Sequence, residues 1–199
     1  MIQNDLNLIL PEILLSIFAM LALLFGVYRG QDKKTASLTL ATAGLMLIVG
    51  MWMILGGSSS EAAFNNMFIS DAFSRYAKAL ILLSSAAVLI MSIGYILRHD
   101  LGRFEYPILI IFSVVGMMFM VSANDLMVLY LGLELQSLAL YVVASIRRES
   151  LKSTEAGMKY FVLGALSSGL LLYGASLIYG LSLIHISEPT RRRGMSYAV

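Results

Sequence analysis

Six long apolar runs constrain this chain most, because each is long enough to cross a membrane as a helix. A hydrocarbon core of about 30 Å needs roughly 20 residues at 1.5 Å per residue. The runs predict helices over residues 8–28, 36–55, 77–97, 106–121, 126–145 and 156–179. The composition agrees, because 59% of the residues are hydrophobic and only 13% are charged. We therefore expect an all-α integral membrane protein with six transmembrane helices.

The composition also excludes several classes of functional site. The chain has no cysteine, which rules out disulfides, thiolate metal ligands and a cysteine nucleophile. A net charge of +2, without a basic run interleaved with aromatics, argues against a nucleic-acid partner. His99 and His185 are far apart in sequence, and neither a phosphate loop nor a metal-ligand spacing occurs. We therefore expect no catalytic, cofactor-binding or metal site in this chain.

The basic residues between the runs predict how the chain is oriented. Eight follow the first, third and fifth runs, whereas two lie on the opposite side. The eight are Arg29, Lys33, Lys34, Arg98, Arg103, Arg147, Arg148 and Lys152; the two are Arg75 and Lys78. Since basic loops stay on the cytoplasmic side, we expect the N-terminus to lie outside.

Two local patterns concern the connections and the packing. The longest connection, residues 56–76, contains "NNMFISDAFSRYA", which fits either an extended segment or an interfacial helix. The sixth run carries small residues at helix-packing intervals, and we interpret them as ordinary packing rather than as a dimer interface. They are Gly157, Gly164, Ser168, Gly169 and Gly174.

Glu134 is an ionisable residue in the middle of the fifth run. It follows Asp125 by nine residues, or about 13–14 Å of helix, which places it near the bilayer midplane. A charge at that depth costs at least about 2.5–3.5 kcal/mol, so the carboxyl must be protonated or face polar groups of the protein. Tyr130, Ser137 and Tyr141 share its helix face. The pattern fits a proton relay or a neutral residue that locks helix packing.

Three other charged residues lie close to the ends of the runs. Lys159 follows Glu155 by four residues, which fits an ion pair at the helix end or a charge that acts beside Glu134. For Glu12 and Asp125 we expect carboxylates at the membrane interface.

Two segments resemble a known family of membrane proteins. "NDLMVLYLGLELQSLALYVVAS" and "STEAGMKYFVLGALSSGLLLYGASLIYG" are similar to the antiporter-like subunits of NADH-quinone oxidoreductase (respiratory complex I) and of cation/proton antiporters. The resemblance runs from "LPEILL" through "FISDAFSRYAKALILL" to about Gly180. Its most specific part is "GLELQSL". Leu133 stands where subunits L and M tend to carry Trp, so the pattern resembles the subunit N branch.

The resemblance implies a larger fold of about fourteen helices built on inverted repeats, of which this chain looks like the first six. Residues 1–122 would be helices one to four, and residues 123–180 the start of the proton-translocating domain. Glu134 would be the fifth-helix glutamate of a proton path and Lys159 the sixth-helix lysine. Residues 181–199, "LSLIHISEPTRRRGMSYAV", resemble nothing in the family, and we expect a non-native tail there.

The function implied is proton translocation coupled to electron transfer from NADH to quinone, in a multi-pass translocase of the bacterial cell inner (plasma) membrane. NADH, flavin, iron–sulfur clusters and quinone would be bound by other subunits, so no cofactor is expected in this chain. The implied partners are the other membrane subunits of complex I and the lipid bilayer. Two alternatives stay open: a structural membrane scaffold, and a cation/proton antiporter subunit, which Leu133 disfavours.

Overall fold

Six helices and one small hairpin make up the described part of the chain. The computed structural model describes residues 6–29, 35–56, 61–98 and 102–187. In these ranges the elements are α1 (Leu10–Arg29), α2 (Thr35–Leu55), β1 (Glu61–Ala63), β2 (Phe68–Ser70), α3 (Ala72–Arg98), α4 (Glu105–Ser122), α5 (Leu126–Ala144) and α6 (Leu151–Ser187). All six helices are long and apolar enough to cross a membrane. The predicted all-α membrane fold with six transmembrane helices is therefore confirmed.

Helix α3 begins at Ala72, five residues before the predicted start at residue 77. The reason is a capping box between Asp71 and Ser74. The Ser74 N–H donates to Asp71 Oδ1 at 2.7 Å, and the Asp71 N–H donates to Ser74 Oγ at 2.9 Å. The Ser74 N–H also holds the pKa of the Asp71 carboxyl below its ordinary value, helped by the Ser74 hydroxyl. The helix therefore begins where its first N–H groups can be capped, not where the apolar run begins.

Helix α6 is longer than predicted at both ends. It begins at Leu151 instead of residue 156, because polar helix-forming residues continue the helix beyond the apolar run. The Thr154 hydroxyl, which donates to the Ser150 carbonyl at 3.2 Å, supports this first turn. The helix then crosses the predicted boundary at residue 181 and ends at Ser187. Residues 188–199, which include the three arginines of the expected non-native tail, lie outside the described residues.

The long connection forms a two-stranded hairpin, so the extended alternative is the correct one for residues 61–70. Strands β1 and β2 pair antiparallel, and the turn between them has positive φ at Phe64, Asn65 and Asn66. Asparagine tolerates this left-handed conformation better than most residues. Asn124, in the turn between α4 and α5, is bonded to the hairpin twice. Its N–H donates to the Met67 carbonyl at 3.0 Å, and its side-chain amide to the Asn66 carbonyl at 2.7 Å.

The apolar core lies among the first four helices, with α4 packed against α1, α2, α3 and α5. Fully buried side chains from all four helices meet there, including Leu15, Met46, Leu82, Ile111 and Met118. Helix α6 packs mainly against α5 and leaves most of its surface exposed. The site on α5 and α6 therefore lies at the edge of the bundle.

Helices α4 and α5 cross at a pair of glycines that allows their backbones to touch. A Cβ at Gly116 would lie 2.6 Å from the Gly132 carbonyl oxygen, and a Cβ at Gly132 would lie 2.8 Å from the Gly116 oxygen. Small residues permit such close approach between membrane helices. Glu134 follows Gly132 by two residues, which corresponds to a rotation of about 200° around the axis of α5. The crossing at Gly132 therefore turns Glu134 away from α4.

Gly116→Ala is expected to destabilise this crossing, because the new methyl group meets backbone that cannot move aside. We expect a loss of about 1–3 kcal/mol or more, measured by thermal unfolding in detergent micelles. Gly94→Ala on α3 is the matched control, because a Cβ there has no neighbour within 4 Å. The control should be neutral or stabilise the helix by up to about 1 kcal/mol. Equal stability of the two variants would contradict the close crossing.

Candidate functional site

A polar contact line between α5 and α6 contains most of the predicted site residues. We call it the α5–α6 seam. The two helices are antiparallel, so the start of α5 lies beside the end of α6. The seam comprises Asp125, Tyr130, Glu134, Tyr141 and Ser145 on the α5 side, and Gly157, Gly164, Ser168 and Tyr179 on the α6 side.

Glycines on α6 allow the seam to close at one end. A Cβ on Gly157 would lie 2.5 Å from the Ser145 Cβ, and a Cβ on Gly164 would collide with the Tyr141 hydroxyl. By contrast, a Cβ on Gly169 would meet nothing within 4 Å. The small residues of α6 therefore fall into two groups, and Gly157 and Gly164 belong to the group that packs against α5.

Tyr141 has a packing role in this seam. Its buried ring meets Tyr160 edge-on, with the centroids 4.8 Å apart, and Phe161 in the same manner at 5.7 Å. Such edge-to-face pairs stabilise a contact by about 0.5–1.5 kcal/mol beyond the area they bury. Tyr141 was predicted to support the carboxyl, but its contacts in the structure are aromatic.

Glu134 is half-buried in the middle of the seam and belongs to a hydrogen-bonded group of three side chains. Its Oε1 accepts a hydrogen bond from the hydroxyl of Ser168, a buried residue of α6. The Ser168 and Tyr130 oxygens are also hydrogen-bonded, 3.1 Å apart. Because the single Ser168 proton goes to the carboxylate, the second bond requires the Tyr130 hydroxyl to donate to Ser168. A carboxyl joined to two hydroxyls in series has the donors and acceptors that proton transfer needs.

The opposite end of the seam is held by Asp125 and Tyr179. Asp125 caps α5, because its Oδ1 accepts from the Met127 N–H at 2.7 Å, while its Oδ2 accepts from the Tyr179 hydroxyl at 2.6 Å. The Tyr179 hydroxyl, followed by the Met127 N–H, holds the pKa of the Asp125 carboxyl below its ordinary value. The ionised Asp125 carboxylate therefore stabilises the folded chain above the unfolded pKa of about 3.9, and this stabilisation is lost as the pH falls through the lowered pKa of the folded state. Asp125 joins α6 to the start of α5.

Besides Tyr141, two more predicted site residues lie outside the hydrogen-bonded group. The Lys159 side chain is 70% exposed and forms an ion pair with Glu155 at 2.6 Å, as the spacing predicts. The structure does not bring Lys159 to Glu134, so a joint role for the two stays a prediction. Ser137 is half-buried on α5 and is not part of the group around Glu134.

One pair of charged residues differs from what the sequence predicts. Glu12 lies on the first turn of α1 but is buried in the protein, because it is 1% exposed and its Oε1 lies 2.5 Å from the Nζ of Lys78. Lys78, which was counted as an outer basic residue, is likewise 1% exposed. Arg75 then remains opposite the eight basic residues that follow the first, third and fifth runs, which strengthens the predicted charge asymmetry. The signal available for Lys78 was its position six residues inside α3, where a lysine must either snorkel to the interface or find a partner within the protein.

Ser168 was recognised only as a small packing residue. Its hydroxyl was a weak signal, because a serine in a membrane helix bonds either to a carbonyl of its own preceding turn or to a facing helix. The periodicity of small residues did not indicate which side chain of α5 that partner would be.

The six long apolar helices define the class of the chain, which is a multi-pass membrane protein. Residues 123–188 match the family model described as "NADH:quinone oxidoreductase/Mrp antiporter, TM". The chain is also similar in structure to a chain of "Respiratory complex I from Thermus thermophilus with bound Aureothin". That match has a TM-score of 0.70 and 26% identity, and it covers 85% of this chain and 36% of the other.

Within this class, the chain resembles one subunit in particular. It is 58% identical to NADH-quinone oxidoreductase subunit N of Jannaschia sp. (strain CCS1) over 180 residues, and 59% identical to that of Rhodobacter capsulatus over 181 residues. Each match covers 90% of this chain and 37% of the relative. The chain thus spans just over a third of the length of these curated relatives. The predicted resemblance to the subunit N family is confirmed.

Ser168→Ala tests the central hydrogen bond of the seam. Removing the hydroxyl leaves the Glu134 carboxyl without its donor from α6, and we expect a loss of about 1–3 kcal/mol in thermal unfolding of the chain in micelles. Ser167→Ala is the matched control, because Ser167 is exposed on the same helix. Its effect should stay within about 0.5 kcal/mol. If both variants melt like the wild-type protein, Ser168 does not hold Glu134.

Proposed function

We propose that this chain is the N-terminal part of a subunit N of NADH-quinone oxidoreductase, and that its α5–α6 seam takes part in proton translocation. Glu134 is the protonatable relay. The complex would couple electron transfer from NADH to quinone to proton movement across the bacterial inner membrane. The activity belongs to the assembled complex, because this chain spans only part of its relatives.

The proposal rests on the position of Glu134 and on the polar side chains that surround it. A carboxyl near the middle of a membrane helix costs free energy unless polar groups of the protein form hydrogen bonds with it. The Ser168 hydroxyl forms such a bond with Glu134. The Tyr130 hydroxyl extends the group by one more step. Both hydroxyls can accept and donate, so the carboxyl can exchange its proton along the seam without crossing lipid.

The other parts of the reaction are assigned outside this chain. NADH, flavin, iron–sulfur clusters and quinone would be bound by other subunits, and the partners would be the other membrane subunits of the complex. Lys159 would act as a neighbouring charge, with its exposed ammonium covered by helices that follow in the full-length subunit. Residues 1–122 would form the first four helices, and residues 123–180 the start of the translocating domain.

The orientation is part of the same proposal. The N-terminus and the hairpin would lie outside, while the connections after α1, α3 and α5 would face the cytoplasm. The burial of Lys78 supports this orientation, because it leaves only Arg75 as a basic residue near the hairpin among the described residues. Glu134 would then lie between an outer end marked by Asp125 and a cytoplasmic end marked by Ser145.

One observation favours a structural scaffold as the second candidate. At Gly157 and Gly164, α6 packs directly against Ser145 and Tyr141 of α5. These contacts would hold the two helices together even without a titrating group. In that case Glu134 would serve as a neutral hydrogen-bonding residue. The two candidates differ in whether the carboxyl must change its protonation state.

Substitution of Glu134 in the full-length subunit separates these candidates. Glu134→Gln keeps a side chain that can accept from Ser168 but removes the titratable proton, so the complex should assemble and lose about tenfold or more of its proton translocation. Glu134→Asp should keep part of it, since the carboxyl can still titrate. The measurement is proton pumping per electron transferred, in membranes with equal amounts of assembled complex.

Glu149→Gln is the control for this experiment, because Glu149 is an exposed carboxylate in the connection between α5 and α6. It should pump like the wild-type complex. The scaffold candidate predicts the reverse order at position 134, in which Gln is tolerated and the shorter Asp is worse. Normal pumping by Glu134→Gln would falsify the relay.

A further inference from the structure

Glu12 and Lys78 form a second ionisable site, separate from the α5–α6 seam. Glu12 lies on the first turn of α1 and Lys78 on the second turn of α3, so the pair is nearer to the hairpin end of the bundle than to the midplane. The two side chains meet in the interior, with Nζ 2.5 Å from Oε1. A buried ion pair of this kind is weak evidence for stability, because desolvation offsets much of the attraction.

The two carboxylate oxygens of Glu12 have different surroundings. Oε1 accepts from Lys78, whereas Oε2 is buried and has no hydrogen-bond partner among the described residues. A buried carboxylate oxygen without a donor carries a free-energy cost that a bound proton would remove. Ser122 Oγ, at the hairpin end of α4, is also buried and has no hydrogen-bond partner in the described part of the chain.

The ammonium of Lys78 has a second contact that does not depend on Glu12. Its Nζ lies 4.5 Å from the centroid of the Phe68 ring on strand β2. A cation over an aromatic face is stabilised by about 0.5–2 kcal/mol, more when it is desolvated. The ring can therefore hold the ammonium while the charge on Glu12 changes.

A cavity lies near this pair, at the hairpin end of the bundle. It has a volume of about 190 Å³, and its lining includes Pro11, Trp52, Ser70 and Arg75. We call it the vestibule. Pro11 is the residue before Glu12, and Arg75 lies one turn before Lys78, so the vestibule lies beside the helix turns that carry the pair, while the two buried side chains do not line it. A single water needs only about 10–15 Å³, so there is room for several.

We propose that Glu12 and Lys78 form a proton-binding site that exchanges protons with the hairpin side of the bundle through the vestibule. On uptake, a proton from water bonds to Glu12 Oε2 and converts the carboxylate to a carboxylic acid. Lys78 stays an ammonium against the Phe68 ring, so the net charge of the pair rises from zero to +1. On release, the O–H bond breaks and the proton returns to water in the vestibule.

The charged groups around this site are few. Asp71 and Arg75 lie at the start of α3, Glu61 lies on β1, and Asp125 lies at the start of α5, next to Asn124. In their described parts, α1, α2 and α4 bring no further charged residue to this end of the bundle. The site does not require the α5–α6 seam to translocate protons, so each can fail without the other.

Infrared titration of the full-length subunit in its assembled complex tests the site directly. In the difference between the spectra of the wild-type and Glu12→Gln complexes, we expect one carboxylic-acid band that appears as the pH falls and shifts promptly on transfer to D₂O, because the vestibule admits water. Glu12→Gln should lose the equivalent of one such carboxyl. Glu61→Gln, which removes an exposed carboxylate at the same end, should keep that band.

Two further outcomes complete the test. If Glu12→Gln does not assemble, the double variant Glu12→Gln/Lys78→Met removes both charges, leaves no unpaired buried ion and should lack the same band. A titration of either variant that equals the wild type would show a permanently ionised, purely structural pair. A Glu12-dependent band that exchanges with D₂O only slowly would overturn the route through the vestibule.

Discussion

A carboxyl group inside the hydrocarbon layer has to find its partners within the protein, and for Glu134 the Ser168 hydroxyl is that partner. This bond needs α6 to lie close against α5, which the bare backbones of Gly157 and Gly164 permit. It also needs α5 to present the correct face. The crossing of Gly116 and Gly132 provides this, because it brings α4 against the opposite side of α5.

The same constraint explains the other end of the bundle. Lys78 is buried, so its ammonium pairs with Glu12 and rests on the Phe68 ring. The hairpin that carries Phe68 is bonded in turn to Asn124, next to the residue that caps α5. The hairpin therefore joins the ion pair of α1 and α3 to the start of the helix that carries Glu134. The two ionisable sites lie at different depths of one connected structure.

The sequence predicted correctly those features that depend on residues close together along the chain. The length of the apolar runs predicts the six helices, and a period of 3.6 residues places Tyr130 on the face of Glu134, where the structure has it. The starts of α3 and α6 were each predicted five residues late, because hydropathy does not register a capping box or polar helix formers.

Contacts between distant residues could not be predicted in the same way. Glu12 and Lys78 are 66 residues apart, and Glu134 and Ser168 are 34 apart. Periodicity says which face of a helix a residue occupies, but only the packing of the helices decides which faces meet. Lys159 illustrates both cases. Its ion pair with Glu155, four residues away, was predictable from the spacing, whereas any contact with Glu134 was not.

The central claim is that Glu134 changes its protonation state while the complex works. Time-resolved infrared spectroscopy of the assembled complex during NADH oxidation measures this directly, with wild-type and Glu134→Gln complexes compared at equal rates of electron transfer. The account predicts a carboxyl band that rises and decays during turnover in the wild type and is missing in the variant. Identical carboxyl spectra in the two complexes during turnover would contradict it.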